Sequence, residues 1–463
     1  MAELSDHLWS VTVFGDADLG DARLTQRLVA MGQTLAARPG ARIPHAFQKA
    51  AAIKGAYRLL ENRKVSAAPI IRVQAKTAAR KCAGLPVVLA VQDTTTLSFN
   101  GRPGIEGLGP INDNPKTRGL FQHSTLAFRI DGQPLGLFHL QHWARDPQAG
   151  KISALRSERP IEEKESFKWI DGIRSARAAL STLPESQRPR LLHVGDREED
   201  IHEVLAEILA HKEGAVIRNS WDRCVDGPQA HAFQAVRQAP LLGVYELEIP
   251  RQRNRARRVA RVELRAVSLT LCPNKDKHPQ RKPLSLGLVE IYEPHPPPDS
   301  EALLWRLWTT EPVATAEQAW AVGRHYSQRW PIEEFHRVLK EGLQAESSEL
   351  ATIGRLSTLL SILSGVAVHL MALRDAARKT PEAPCDILLT PIEWKVLWAK
   401  IHGPIPASDQ EPPSIRQAVL WIGRLGGHMN RKSDGLPGVK TLWRGWDTLS
   451  VLIAGYQLAC PSG

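Results

Sequence analysis

Cysteine is scarce and scattered. The 463-residue chain has five, Cys82, Cys224, Cys272, Cys385 and Cys460. None forms a CxxC pair or stands near histidines at zinc spacing, so reduced structural thiols and no zinc module are expected. The first residues lack a basic-then-apolar pattern, and no export is expected. There is no internal repeat and no low-complexity tract. Only one apolar run, Leu356 to Leu373, is long enough to raise a membrane helix. Leu356, Leu359, Leu360, Leu363, Ala367 and Leu370 make a helical stripe there, interrupted by Ser357, Ser361, Ser364 and His369. That pattern predicts a helix packed inside a soluble fold, and no membrane partner. Acids are the minority charge, 49 against 60 lysines and arginines, for a net +11. A basic surplus favours a polyanionic partner, nucleic acid first, though it only permits that reading.

The hydrophobic share of 43% and charged share of 24% are ordinary for a globular chain. The length suits about three domains at ~150 residues each. Residues 1–70 read as small helices. Arg23 and Arg27 share one face, with Leu24 and Leu28 on the other, and a second helix passes through Lys54, Tyr57 and Arg58. Basic helices of this kind lie in a DNA groove or simply face solvent. Residues 71–373 read as an α/β domain. Pro86 to Asp93 (PVVLAVQD) and Pro189 to Asp196 (PRLLHVGD) are each a short unbroken apolar run that delivers an aspartate at its end. Such runs are strands buried on both faces. Within residues 221–304, Tyr245 to Ile249 and Arg261 to Arg265 alternate with period two, Leu286 to Tyr292 is a further strand, and the segment reads as an all-β insertion. Arg251, Arg253, Arg255, Arg257, Arg258, Arg261 and Arg265 crowd its hairpin, and phosphate contact is preferred to a merely soluble edge. Thr315 to Gln318 is a capping box. Residues 374–463 read as loops and helices near 391–402, 414–425 and 440–458.

Residues 326–340 read YSQRWPIEEFHRVLK. On a helix at ~100° per residue, Tyr326, Arg329, Glu333 and Lys340 fall in one stripe, with Trp330 and Arg337 beside it. Ile332, Phe335 and Leu339 lie opposite, where a core would be. A carboxylate among such cations suits a metal ligand beside phosphate-holding groups, and a solvated amphipathic face is the plain alternative. Phosphodiester cleavage needs a strong nucleophile and a clamp for charge on the entering and leaving oxygens. Two Mg²⁺ ions do both, with Mn²⁺ able to substitute, and a few carboxylates suffice to hold them. Asp93, Asp196 and Glu333 are the candidate ligands and catalytic residues.

The spacing Tyr326-x2-Arg329-x3-Glu333-x6-Lys340 resembles the signature of the insertion-sequence-four group of DDE transposases, which are bacterial cut-and-paste enzymes. VQDTT around Asp93, GDREEDIH around Asp196 and the 326–340 stretch resemble that family's three acidic blocks, in order. The similarity also takes in LGDARLTQRL, KGAYRLLENRKVS, EKESFKW, GRLGGHMN and LWRGW, nearly end to end. The resemblance implies a ribonuclease-H-like mixed-sheet core with the β insertion, between an N-terminal helical domain that binds DNA ends and a C-terminal dimerisation domain. It implies that Trp305 stacks a flipped base, and that Tyr326, Arg329, Trp330, Lys340 and Arg218 grip the DNA backbone. Thr94, Lys116, Arg118, His123, Lys164 and Arg197 are weaker phosphate-contact candidates. Pro331 departs from a continuous helix by removing a donor and biasing Trp330. Leu24 stands where the family carries a second arginine.

The function implied is cut-and-paste transposition by a cytoplasmic, nucleoid-associated homodimer acting on the inverted ends of an element and on target DNA. The steps are nicking, hairpin formation, hairpin opening and strand transfer. Two alternatives stay open at this stage. One is a catalytically silent DNA-binding inhibitor or repressor. The other is a ribonuclease-H-like nuclease that cleaves without joining.

Overall fold

The computed structural model describes residues 9–459 except 103, 115, 147–158, 250–257, 274–279, 299, 408 and 432–433. The chain begins with five helices, α1 (Trp9–Phe14), α2 (Ala22–Ala37), α3 (Ile43–Phe47), α4 (Ala50–Glu61) and α5 (Ala67–Cys82). Asp21 caps α2 by accepting from the Arg23 amide. Leu24, Leu28, Met31 and Leu35 then bury the inner face at three-to-four spacing, which leaves Arg23 and Arg27 outside.

The core strands and helices follow as β1 (Val87–Ser98), β2 (Gly109–Pro110), β3 (Arg118–Phe128), β4 (Pro134–Trp143), α6 (Phe167–Leu180), β5 (Arg190–Gly195), α7 (His202–Ala210) and β6 (Gly214–Arg218). In space the order is β4, β3, β1, β5, β6. The first three are antiparallel, and β5 and β6 run parallel to β1. This is a ribonuclease-H-like core. Helices cover both faces of the parallel strands, so their apolar runs are continuous: Val88 to Val91, Leu191, Leu192, Val194 and Ala215 to Ile217 are all buried.

Asp93 does not end its strand as the sequence suggested. β1 continues to Ser98 against β3, while its pairing with β5 stops at Val91 opposite Val194. The β-branched run Thr94 to Thr96 suits an extended backbone, and β3 gives it a partner. The expected all-β insertion also needs correction. α8 (Ala232–Gln238) interrupts it, and its strands are β7 (Leu241–Ile249), β8 (Arg258–Leu271) and β9 (Leu284–Tyr292). They make no separate sheet. β10 (Leu304–Thr309) pairs with β9 on one side and β6 on the other, so one ten-stranded sheet runs through both parts. Fully buried Leu307 and Trp308 in β10 explain why that edge of the core is not left open.

Arg251, Arg253, Arg255 and Arg257 lie outside the described residues. Arg258 is occupied by an ion pair to buried Glu293, and Arg265 donates to the Ala239 carbonyl and Glu263. Those two arginines therefore brace the sheet, and Arg261 stays exposed.

Next come α9 (Ala316–Ser327), opened by the Thr315–Gln318 capping box, and α10 (Trp330–Arg337). A wide π turn at Val338–Gly342 follows. α11 (Ile353–Lys379) carries the long apolar run. It is long and apolar enough to cross a membrane, but 78% of that window is buried in the fold. Its Thr358 and Ser361 hydroxyls are satisfied by the helix's own carbonyls. α12 (Pro391–His402), α13 (Ile415–Leu425) and α14 (Val439–Ala459) close the chain. α14 reaches back to both earlier parts: Ser450 donates to the Ala37 carbonyl, and the Trp443 indole lies on Gly342.

Candidate functional site

The signature stretch is two helices at an angle, not one. α9 ends at Ser327 and the chain restarts with Trp330 and Pro331 in the first turn of α10, where a missing amide hydrogen is harmless. Ile332, Phe335 and Leu339 are buried as the stripe required. Glu333 and Arg337 keep to the outer side, Glu333 half-buried and Arg337 exposed.

Asp93 and Asp196 stand just past the point where β1 and β5 stop pairing. Asp93 Oδ1 accepts from the Thr94 amide at 2.8 Å. Asp196 caps a short turn by accepting from the Glu198 amide, also at 2.8 Å. Each carboxylate thus has one oxygen held by backbone. Asp93 Oδ2 faces Arg329 Nη1 at 3.9 Å and His336 Nδ1 at 3.6 Å. Arg329 also donates to Glu333. Burial pushes the Asp196 carboxyl up, and the charge of Asp93 adds to that, while the Glu198 amide, Arg329 and Lys168 oppose it. Two carboxylates therefore feel each other, and a third is fastened beside them by one guanidinium. Burial works against the Arg329 charge, but the Tyr326, Glu333 and Asp93 groups outweigh it.

The donor chemistry suits a hard divalent cation: all three acids offer oxygen, and the mutual repulsion of Asp93 and Asp196 calls for positive charge. Among the described residues, however, no three Asp, Glu, His or Cys side chains are arranged round one point as a ligand set. Glu333 is paired with Arg329, which also faces Asp93.

The other expected contacts are spread round this centre. Lys340 is half-buried, its ammonium pulled down by burial and supported by Glu346 and Asp93. Tyr326 is only 5% exposed and meets the Trp305 ring edge-on at 5.0 Å. Arg218 donates to the Leu304 carbonyl at 3.2 Å beside them. Trp330 is half-buried, and Arg197 is exposed next to Asp196. Arg118 is exposed but spends a guanidinium N–H on the Leu108 carbonyl at 2.6 Å. Lys164 is partly buried and Lys116 exposed. Thr94 is partly buried and bonds His123 Nδ1 at 3.0 Å. His123 is fully buried and held neutral by burial, so it belongs to the interior and not to a phosphate-contact surface. Arg23 is exposed and paired with Asp21, and Arg27 is exposed. Both lie in the N-terminal helices and form no part of the carboxylate centre.

Several neighbours escaped the sequence reading. Gln92 donates to Glu199 at 2.9 Å and accepts from Thr125 at 3.2 Å, with the His123 Nε2 3.1 Å away. Glu199 is fully buried, and a Cβ on Gly195 would come within 1.5 Å of its carboxyl, so only glycine fits there. Buried Asp200 is fixed by Arg223 at 2.7 Å and by the Ser220 amide at 2.8 Å. These bonds brace the turn that aims Asp196. The signal for His336 was available, since it follows Glu333 by three residues on one helix. Lys168 sits in the same EKESFKW stretch as Lys164, and its charge acts on Asp196.

Residues 6–65 match the family described as Transposase DNA-binding. Residues 365–462 match the Transposase Tn5 dimerisation domain. The two matches together support a Tn5-like transposase. The insertion-sequence-four resemblance agrees with this. In this transposase the first match takes in α1 to α4, and the second takes in most of α11 together with α12 to α14. The sheet that carries Asp93 and Asp196 lies between the two.

Proposed function

We propose that the transposase excises a DNA element bounded by inverted ends and joins it to new DNA, using Asp93, Asp196 and Glu333 at one site. The observation that carries the proposal is the meeting of Asp93 and Asp196 just past the point where β1 and β5 stop pairing, with Glu333 fastened beside them through Arg329. Two Mg²⁺ ions, or Mn²⁺ in their place, would supply an activated water and neutralise charge on the phosphate oxygens. Asp93 and Asp196 would hold them with the oxygens left free by the Thr94 and Glu198 amides, and Glu333 would join after leaving Arg329. Arg329, Lys340 and Arg218 would then hold DNA phosphates near the centre.

The reaction is a series of in-line phosphoryl transfers. Water cleaves one strand at each end. The freed 3′ hydroxyl attacks the opposite strand, giving a hairpin and releasing flanking DNA. Water reopens the hairpin, and the 3′ ends attack the target. Trp305, half-buried beside Tyr326, would stack the base displaced in the hairpin step. DNA-end binding falls to the N-terminal helices. A homodimer brings two ends together through the C-terminal helices, in a cytoplasmic, nucleoid-associated setting.

The test is Glu333→Gln in the full-length chain, assayed on DNA carrying the inverted repeats that flank its gene. Cleavage in Mg²⁺ or Mn²⁺ should fall by at least ~10²-fold with end binding retained. Undiminished cleavage rejects the assignment. End binding by the unaltered protein without any nicking in Mn²⁺ would instead mark a silent DNA-binding protein, a reading favoured by the Arg329 clasp on Glu333.

A further inference from the structure

Lys168 stands in the first turn of α6, and its side chain is only 10% exposed. Its Nζ lies 5.4 Å from the Trp143 ring centre and 5.5 Å from that of Trp169. Two indoles therefore line its slot. Glu198 is 3.7 Å away, outside hydrogen-bond reach, and is itself 67% exposed. Among the described residues no acceptor stands within hydrogen-bond distance of this ammonium. A largely buried cation whose paired carboxylate, Glu198, lies beyond hydrogen-bond reach is costly unless a better partner arrives. The Glu198 amide holds Asp196 Oδ1 at 2.8 Å, so the residue whose acid faces this ammonium is the one that braces that carboxylate. Aromatic faces favour a cation there but leave its hydrogen bonds to be filled.

We propose that Lys168 is a catalytic residue that donates to a non-bridging oxygen of the scissile DNA phosphate, on the Asp196 side of the site. The inference rests on the transposition reading above. It adds a substrate contact from α6, an element to which nothing in the signature helices points. The lysine stem is flexible, so the ammonium turns from Glu198 to the phosphate while its methylenes stay between the indoles.

The test compares full-length wild type, Lys168→Met and Asp196→Asn on duplexes bearing the inverted repeats that flank the gene. Methionine keeps the stem's bulk in the slot and removes the charge. Single-turnover cleavage at saturating protein should fall by ~10²-fold in Lys168→Met. End binding should hold within about threefold, and its salt slope should fall by about one. A second duplex carries a neutral methylphosphonate at the scissile position. With the diastereomer whose methyl replaces the oxygen that Lys168 contacts, wild type and Lys168→Met should cleave equally slowly, because the contact is gone from both. A rate gap that persists on the neutral linkage shows that Lys168 only shapes Asp196, and overturns the inference. Wild-type cleavage of the natural duplex by Lys168→Met also overturns it. If Lys168→Met melts early, Lys168→Gln is read by the same criteria. Loss of cleavage in Asp196→Asn with none in the lysine variants leaves the transposition reading standing and removes only this contact. Full cleavage by Asp196→Asn removes the reading itself.

Discussion

At the residue scale, the polar interior beneath the carboxylates decides how firmly they are aimed. Glu199 is buried against Gln92, and burial, with help from Asp196, pushes its carboxyl well above the ordinary range. The sign of the consequence follows from proton counts. Above pH ~4.3 the unfolded chain has lost this proton while the folded chain keeps it, so stability falls as pH rises from there towards the folded value. Glu199→Gln supplies a neutral group of the same shape. Its thermal midpoint should equal that of wild type near pH 4 and exceed it increasingly towards pH 8. Parallel curves for the two proteins, measured by calorimetry, would contradict this. Neither Glu199 nor Lys168 was legible in sequence. The run Arg197 to Asp200 reads as a charged, solvated turn, and only the close approach at Gly195 shows that one of its acids points inward. Lys164 and Lys168 stand four residues apart in one stretch, and without the partners Trp143 and Trp169 nothing in the sequence ranks one above the other.

At the element scale, the signature stretch held its buried side but not its straightness. Pro331 ends one helix and opens the next, and the π turn at Val338–Gly342 shifts Lys340 from the position a continuous α-helix would give it. The apolar spacing was visible in sequence. The π turn was not; it packs against the Trp443 indole, more than a hundred residues away in the chain. A Cβ on Gly342 would come within 2.2 Å of that ring. Gly342→Ala should therefore cost about 1–3 kcal/mol. It should also loosen α14, read as faster proteolysis of the C-terminal helices. Unchanged urea stability and proteolysis would show that the indole simply moves aside. Likewise, β7 alternates as expected, but strand pattern does not say which sheet the strands of residues 221–304 join. β10 settles that by pairing on both sides.

At the scale of the whole molecule, buried imidazoles link the sheet to its helical cover. Burial pulls His139 down to about 4, and His142 and His369 down to about 3. The folded chain keeps them neutral while the unfolded chain takes up protons below pH ~6.5. Their contribution is thus complete above that value and is lost as the pH falls towards 4 and 3. Urea midpoints should drop across that window, by about 1 kcal/mol per pH unit for each histidine that stays neutral. His369→Gln, beside the stacked Trp9, should lose part of the slope. Equal slopes in the two proteins would show that His369 is already protonated in the fold. The basic surplus, the helical ends and the buried parallel strands were all legible in the sequence. The distribution of arginines between structure and partner was not, because an ion pair such as Arg258 with Glu293 is set by tertiary neighbours.

Arg329 is a tethered counter-ion: it is covalently part of the chain and already seated among the acids that would receive free ones. On the proposed reaction, a divalent ion would have to outcompete it, and an incoming phosphate would give it somewhere else to go. Idle protein would then be disarmed, and loading of metal and arrival of DNA would become one event, sparing the surrounding chromosome from stray breaks.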